Sequence, residues 1–75
     1  MRRIRIRIMP KKGLLDPQGR AVEEMLEENG FKVKGVRVGK VVEMSVPEGT
    51  DLKKLAEEYV VNTLIEDYEI EELAS

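Results

Sequence analysis

The chain has 75 residues, enough for one domain spanning 1–75 with a core too small to be generously stable by itself. It contains neither cysteine nor histidine, which excludes a disulfide, a thiolate or imidazole metal site, and any Ser-His-Asp or Cys-His catalytic engine. Charged residues make up 37% of the sequence at a formal net charge of −2, a balance that argues against a nucleic-acid binder.

Residues 3–9, Arg-Ile-Arg-Ile-Arg-Ile-Met, alternate strictly. Ile4, Ile6 and Ile8 fall on one face and Arg3, Arg5 and Arg7 on the other, which predicts a strand. Pro10 and Gly13 end it. Asp16-Pro17 opens a first helix, because Asp caps free N–H groups and Pro has no N–H to leave unpaired. Ala21, Val22, Met25 and Leu26 form its apolar stripe, with Glu23, Glu24, Glu27 and Glu28 toward water. Asn29-Gly30 is the expected stop. From Phe31 to Val46 the alternation predicts two strands joined by a tight turn at Gly39-Lys40. Pro47-Glu48-Gly49 is a turn, and Thr50 or Asp51 caps a second helix. Its stripe would be Leu52, Leu55, Ala56, Tyr59, Val60 and Thr63. Ile65, Tyr68 and Ile70, set among acids, predict a final strand.

The order β-α-β-β-α-β predicts an α+β fold, two layers with two helices packed on one face of an antiparallel sheet, as in ferredoxin-like domains. First and last strands would be neighbours, so that Arg3, Arg5 and Arg7 face Glu69 and Glu71. Such pairing explains an uneven charge: residues 1–20 carry seven basic side chains and one acidic, residues 41–75 two basic and ten acidic. No apolar run approaches the ~20 residues of a membrane span, and the Arg/Ile start is unlike a secretory signal. A cytoplasmic chain with no membrane partner is expected.

Candidate chemistry is sparse. Gly35-Val-Arg-Val-Gly39-Lys40 differs from a phosphate-binding loop in three ways: it has three residues between its glycines instead of four, Val41 where Ser or Thr belongs, and a place between strands. Arg37 and Lys40 read more simply as a solvated basic turn. The helix start at Asp16–Gly19 would attract an anion through its free amides, but Asp16 is itself the capping acid. Capping does not explain Gln18 or Gly19. Glycine there weakens the helix by about 1 kcal/mol relative to alanine, a cost that a partner's close backbone approach would explain. Glu66-Asp67 and Glu71-Glu72 alternate across a strand and do not converge as an acid/base pair or magnesium site. An RNA-binding sheet would present stacking aromatics, whereas this chain has one Phe, two Tyr and no Trp. No catalytic, cofactor-binding or metal-binding residue is expected. An open sheet face, free strand edges and a small core predict a homodimer or higher homo-oligomer.

Three segments occur in order: Leu15-Asp16-Pro17-Gln18-Gly19-Arg20-Ala21-Val22, Val36-Arg37-Val38-Gly39-Lys40, and Asn62-Thr63-Leu64-Ile65-Glu66-Asp67-Tyr68. With the Arg/Ile strand they resemble the PurS family, the small subunit of phosphoribosylformylglycinamidine synthase, over nearly the whole chain. The resemblance implies a non-catalytic subunit of de novo purine biosynthesis. Such a subunit bridges a synthetase and a glutaminase and supports ammonia transfer between them. The complex would use ATP and Mg²⁺ to convert formylglycinamide ribonucleotide to the amidine, with no cofactor held by this chain. By the same resemblance, Asp16, Gln18, Gly19, Arg37, Lys40, Asn62, Glu66, Asp67 and Tyr68 are partner-binding residues. The competing class is a small-molecule-sensing regulatory α+β module, binding near Asp16–Gly19.

Overall fold

A computed structural model describes residues 1–74. Strand β1 runs Arg2–Pro10, helix α1 Pro17–Glu28, strand β2 Lys40–Val46, helix α2 Leu52–Leu55, continuing as a π-helical turn over Ala56–Val60, and strand β3 Glu66–Leu73. The sheet is antiparallel in the order β2-β1-β3. The α+β class, the antiparallel sheet and the pairing of first and last strands are as expected.

Alternation in β1 does what its pattern demands. Ile4, Ile6 and Ile8 are fully buried and join Val46, Ala56 and Val61 in the core. Burying each isoleucine contributes about 1.5–3 kcal/mol. Partly buried Val42, Met44, Tyr68 and Ile70 extend the core across both flanking strands, and Leu52, Leu55 and Val60 cover it from the helical side. On the opposite face the arginines meet acids from both neighbours. Arg7 pairs with Glu69 and Glu71, each at 2.7 Å, while Arg5 pairs with Glu43 at 2.7 Å and Arg3 reaches Glu43 at 3.7 Å. Glu43 therefore shares the role expected of the last strand alone.

Three expectations fail. First, no strand forms over residues 31–38, and Gly39-Lys40 is not a hairpin: Lys40 opens β2 opposite Ile8. The amides of Val36 and Val38, two residues apart as in a strand, are taken by side chains of α1. Val36 N donates to Glu23 Oε1 at 3.1 Å and Val38 N to Asp16 Oδ2 at 2.9 Å. Those carboxylates occupy the place of a neighbouring strand.

Second, only one helical segment lies on the sheet. None of the apolar side chains between residues 11 and 39 packs against the core, and Met25 and Phe31 are 54% and 57% exposed. The helix is instead tied to the segment at 36–38, beside the sheet's end. The Cα radius of gyration is 15.6 Å, against about 11 Å for a compact chain of this length.

Third, Tyr59 is 78% exposed. Val61 N donates to Ala56 O at 2.8 Å, an i→i−5 bond. This wider turn keeps Val60 against the core as expected and adds Val61, while Tyr59 and Thr63 of the expected stripe lie exposed.

Candidate functional site

The helix start follows its local code. Asp16 Oδ1 accepts from Gly19 N at 3.0 Å, and Pro17 takes the first turn. Its end does too: Gly30 at φ +88° donates to Glu27 O, and Phe31 N to Leu26 O at 3.0 Å, closing a Schellman motif. Asp16 therefore binds with both oxygens, one to its own helix and one to Val38. The amides of Gly19 and Val38 hold its carboxyl below the usual range.

Gly19 is the buried residue of α1. A side chain there would collide with the carbonyl of Val36 and come within 3.0 Å of Asp16 Cγ. The close backbone approach that its glycine implied is real, but it is made by this chain's own residue 36. Gly39 is equally confined, against the carbonyl of Ile8 and the sulfur of Met9.

These clasps gather the residues singled out in the sequence at one end of the sheet. Gln18 is exposed at the start of α1, and it lines a groove of about 580 Å³ with Asp16, Lys40 and Glu66. Lys40 Nζ lies 3.6 Å from Glu66 Oε2. Glu66 Oε1 also accepts from Asn62 N at 2.9 Å, while Asn62 Oδ1 accepts from Leu64 N at 3.2 Å, so Asn62 and Glu66 close the turn into β3. Next to them Asp67 Oδ1 binds Lys11 Nζ at 2.7 Å. Tyr68 OH donates to Glu57 Oε2 at 2.7 Å, joining β3 to the π-helical turn, and that bond raises the phenol's pKa. Arg37 donates from Nη2 to the carbonyl of Pro10, bracing the segment before β2 against the end of β1.

Of the nine residues, Asp16, Gly19, Glu66 and Tyr68 are committed to internal structure, while Gln18, Arg37, Lys40, Asn62 and Asp67 are exposed. Sequence reasoning missed Glu23, which it placed in water. Glu23 stands seven residues after Asp16, two turns along the same helix face, and that spacing was the available signal. It also missed Lys11 and Lys12, which flank the same end of β1.

The site is dense in charge. Every carboxyl with a displaced titration is displaced downward: Asp16 by backbone amides, Glu43 by Arg5, Glu72 by Arg2. Such groups stay ionised and bind; they are not poised to shuttle protons near neutrality. Among the described residues no group of three or more acids could hold a metal ion, and no helix is long and apolar enough to cross a membrane.

Comparison with known proteins matches residues 3–74 to the PurS model, described as phosphoribosylformylglycinamidine (FGAM) synthase. The PurS subunit of that synthase from Bacillus subtilis is 35% identical, over 100% of this chain and 99% of its own. A solved B. subtilis PurS superposes with a TM-score of 0.85 at 33% identity, covering 99% of this chain and all of that one. Methanocaldococcus jannaschii PurS, described as one of the subunits of formylglycinamide ribonucleotide amidotransferase in the purine biosynthetic pathway, gives 0.84 at 28% identity, covering 100% of this chain and 99% of its own. A chain in the structure of PurLQS from Thermotoga maritima gives 0.83 at 33% identity, with 96% of each chain covered.

Proposed function

The chain belongs to the PurS family, and from that premise we propose that it is the non-catalytic small subunit of FGAM synthase, working in purine biosynthesis in the cytoplasm. The observation that carries this is the match over residues 3–74 together with the place of a 33%-identical chain in PurLQS of T. maritima. The chemistry of the chain agrees: it has no histidine or cysteine, and its displaced carboxyls are held below the usual carboxylate range.

Residues 1–75 act as one unit, assembled first with copies of itself. The exposed stripe of α1 and a radius of gyration of 15.6 Å favour that assembly, because another chain must cover what this one leaves bare. The homo-oligomer then joins the synthetase and the glutaminase. Holding two active sites together raises the effective concentration of what passes between them, here ammonia. ATP and Mg²⁺ serve the synthetase and not this chain. Gln18, Arg37, Lys40, Asn62 and Asp67 form the contact surface, while Asp16, Gly19, Glu66 and Tyr68 shape it from within.

The test is reconstitution. The chain is mixed with the synthetase and glutaminase of its source, with Mg-ADP and glutamine present, and passed over a sizing column. Co-elution and a gain in glutamine-dependent FGAM formation are expected, with no turnover by the chain alone. Failure on both counts, or substrate conversion by the isolated chain, overturns the reading.

A further inference from the structure

The surface at the end of β1 carries a charge imbalance that the chain does not resolve internally. A second groove there, of about 520 Å³, is bordered by Arg7, Lys12, Arg37, Lys40, Asp67 and Glu69. Four of these side chains already have partners. Arg7 is held by Glu69 and Glu71, Asp67 by Lys11, and Lys40 by Glu66 across 3.6 Å. Lys12 and Arg37 form no ion pair among the described residues. The guanidinium of Arg37 is braced on the Pro10 carbonyl, which fixes its place; its charge acts on Asp16 from a distance, and no carboxylate of the described residues contacts it directly. Between the cations lies an apolar floor that includes Met9 and Val41, the latter 55% exposed.

We propose that this groove docks an acidic segment of a larger partner subunit, in which a carboxylate engages Arg37 and Lys12 and an adjoining apolar side chain rests on Met9 and Val41. The inference rests on the assembly role above and names the chemistry of the contact. Charge complementarity selects the occupant. The chain as a whole is at −2, so a basic partner would be drawn to its acidic surfaces, whereas an acidic one is favoured at the groove, where Lys12 and Arg37 stand without an ion pair among the described residues. The β3 strand of a second copy fits less well, because its carboxylates are largely spent: Asp67, Glu69, Glu71 and Glu72 are bound to Lys11, Arg7 and Arg2. Lys40, which the sequence places beside Arg37, is not an anchor because Glu66 already neutralises it.

The experiment titrates the unaltered chain, Lys12→Glu, Arg37→Glu and Lys32→Glu into the synthetase–glutaminase mixture at two salt concentrations. Circular dichroism and sizing of each chain alone accompany it. Lys12 makes no hydrogen bond or ion pair within the described chain, so its reversal leaves the fold intact even if that of Arg37 disturbs the loop. Lys12→Glu and Arg37→Glu are each expected to weaken binding by about tenfold or more and to flatten the dependence on salt. Lys32→Glu, exposed and outside the groove, should bind as the unaltered chain does. If both groove variants assemble normally, this inference alone is overturned. It is also overturned if they alter only the self-association of the chain, which would make a second copy the occupant. If the unaltered chain forms no complex, the parent reading falls and this one with it.

Discussion

The two halves of this molecule are held by different forces. The sheet half buries three isoleucines of β1 completely and seals the opposite face with arginine–carboxylate pairs. The half from Lys11 to Gly39 contributes nothing to that core and is held together by two carboxylates, Asp16 and Glu23, which accept the amides of Val38 and Val36; it meets the sheet half through Arg37 on the Pro10 carbonyl and Lys11 on Asp67. One half is stable because water is excluded from it. The other is positioned by hydrogen bonds at its surface and leaves Met25 and Phe31 exposed. A subunit whose task is contact needs both, a rigid plate and a projecting arm.

The largest way to break that contrast is in the plate. Ile6→Asp places a charge in the centre of the sheet without a partner, and no folded protein is expected by circular dichroism. Ile6→Ala, the milder form, should cost about 2–5 kcal/mol in urea unfolding, a large share of the ~5–15 kcal/mol that small domains possess. Unfolding of Ile6→Ala at the unaltered midpoint would mean that the core lies elsewhere.

Next come two glycines at close backbone contacts, Gly19 inside the arm and Gly39 between arm and plate. Alanine at residue 19 or 39 must displace a backbone carbonyl, that of Val36 or Ile8, as well as a side-chain end, that of Asp16 or Met9. Each should cost about 1–3 kcal/mol by overpacking. Gly39→Ala acts on the β1–β2 seam and should lower the global unfolding midpoint. Gly19→Ala should chiefly speed amide exchange along residues 36–38, leaving β1 protected. Equal effects of the two on β1 would erase the distinction between plate and arm.

What was legible in the sequence divides along the same line. β1 could be read almost to the residue because period two with β-branched side chains has one physical solution. The caps at Asp16 and Asp51 and the stop at Gly30 were legible because they satisfy local donors and acceptors. The strand expected at Val36–Val38 was not there, because its pattern is local while its partner is decided by tertiary contacts. Two helix carboxylates reached those amides first. The π-helical turn was invisible for a similar reason: an α-helical stripe through Tyr59, Val60 and Thr63 and a wider one through Val60 and Val61 are both available to the sequence. Of the site, the residue types were visible and the arrangement was not. Nothing in the letters says that Glu66 would pair with Lys40 while Arg37 contacts no carboxylate among the described residues.

The polar clasp should answer to pH. Amide donation keeps Asp16 ionised below the ordinary carboxylate range, so its folded pKa lies under its unfolded one. Its contribution is therefore complete above about pH 4, the usual unfolded value, and lost as pH falls through the folded value. Exchange of the Val38 and Gly19 amides should accelerate over that interval. Glu43 and Glu72 are displaced in the same direction by arginines, so the sheet weakens there as well. Asp16→Asn separates the effects. It keeps one acceptor and cannot ionise, so local exchange near Val38 should be fast already at pH 7. The acid response of the sheet should remain. Unchanged exchange at Val38 in this variant would show that the carboxylate does not hold the arm.

The smallest effect is expected where most of the charge is visible. Arg7 reaches Glu69 and Glu71 at 2.7 Å, yet its side chain is 53% exposed and that of Glu69 is 73% exposed. Water screens such a pair, and ordering two long side chains offsets much of the attraction. A cycle of Arg7→Gln, Glu69→Gln and both together should give a coupling of about 0.2–1 kcal/mol that fades in 1 M salt. The Asp16–Val38 link should persist in the same salt, because it is a short-range hydrogen bond to a partly buried amide. The ladder on the outer face is better understood as a device of register. Shifting β3 by one residue would move Ile70 out of the core and leave Arg7 facing the wrong carboxylates. A coupling well above 1 kcal/mol would instead make the ladder a principal source of stability, and the plate would then owe as much to its charged face as to its isoleucines.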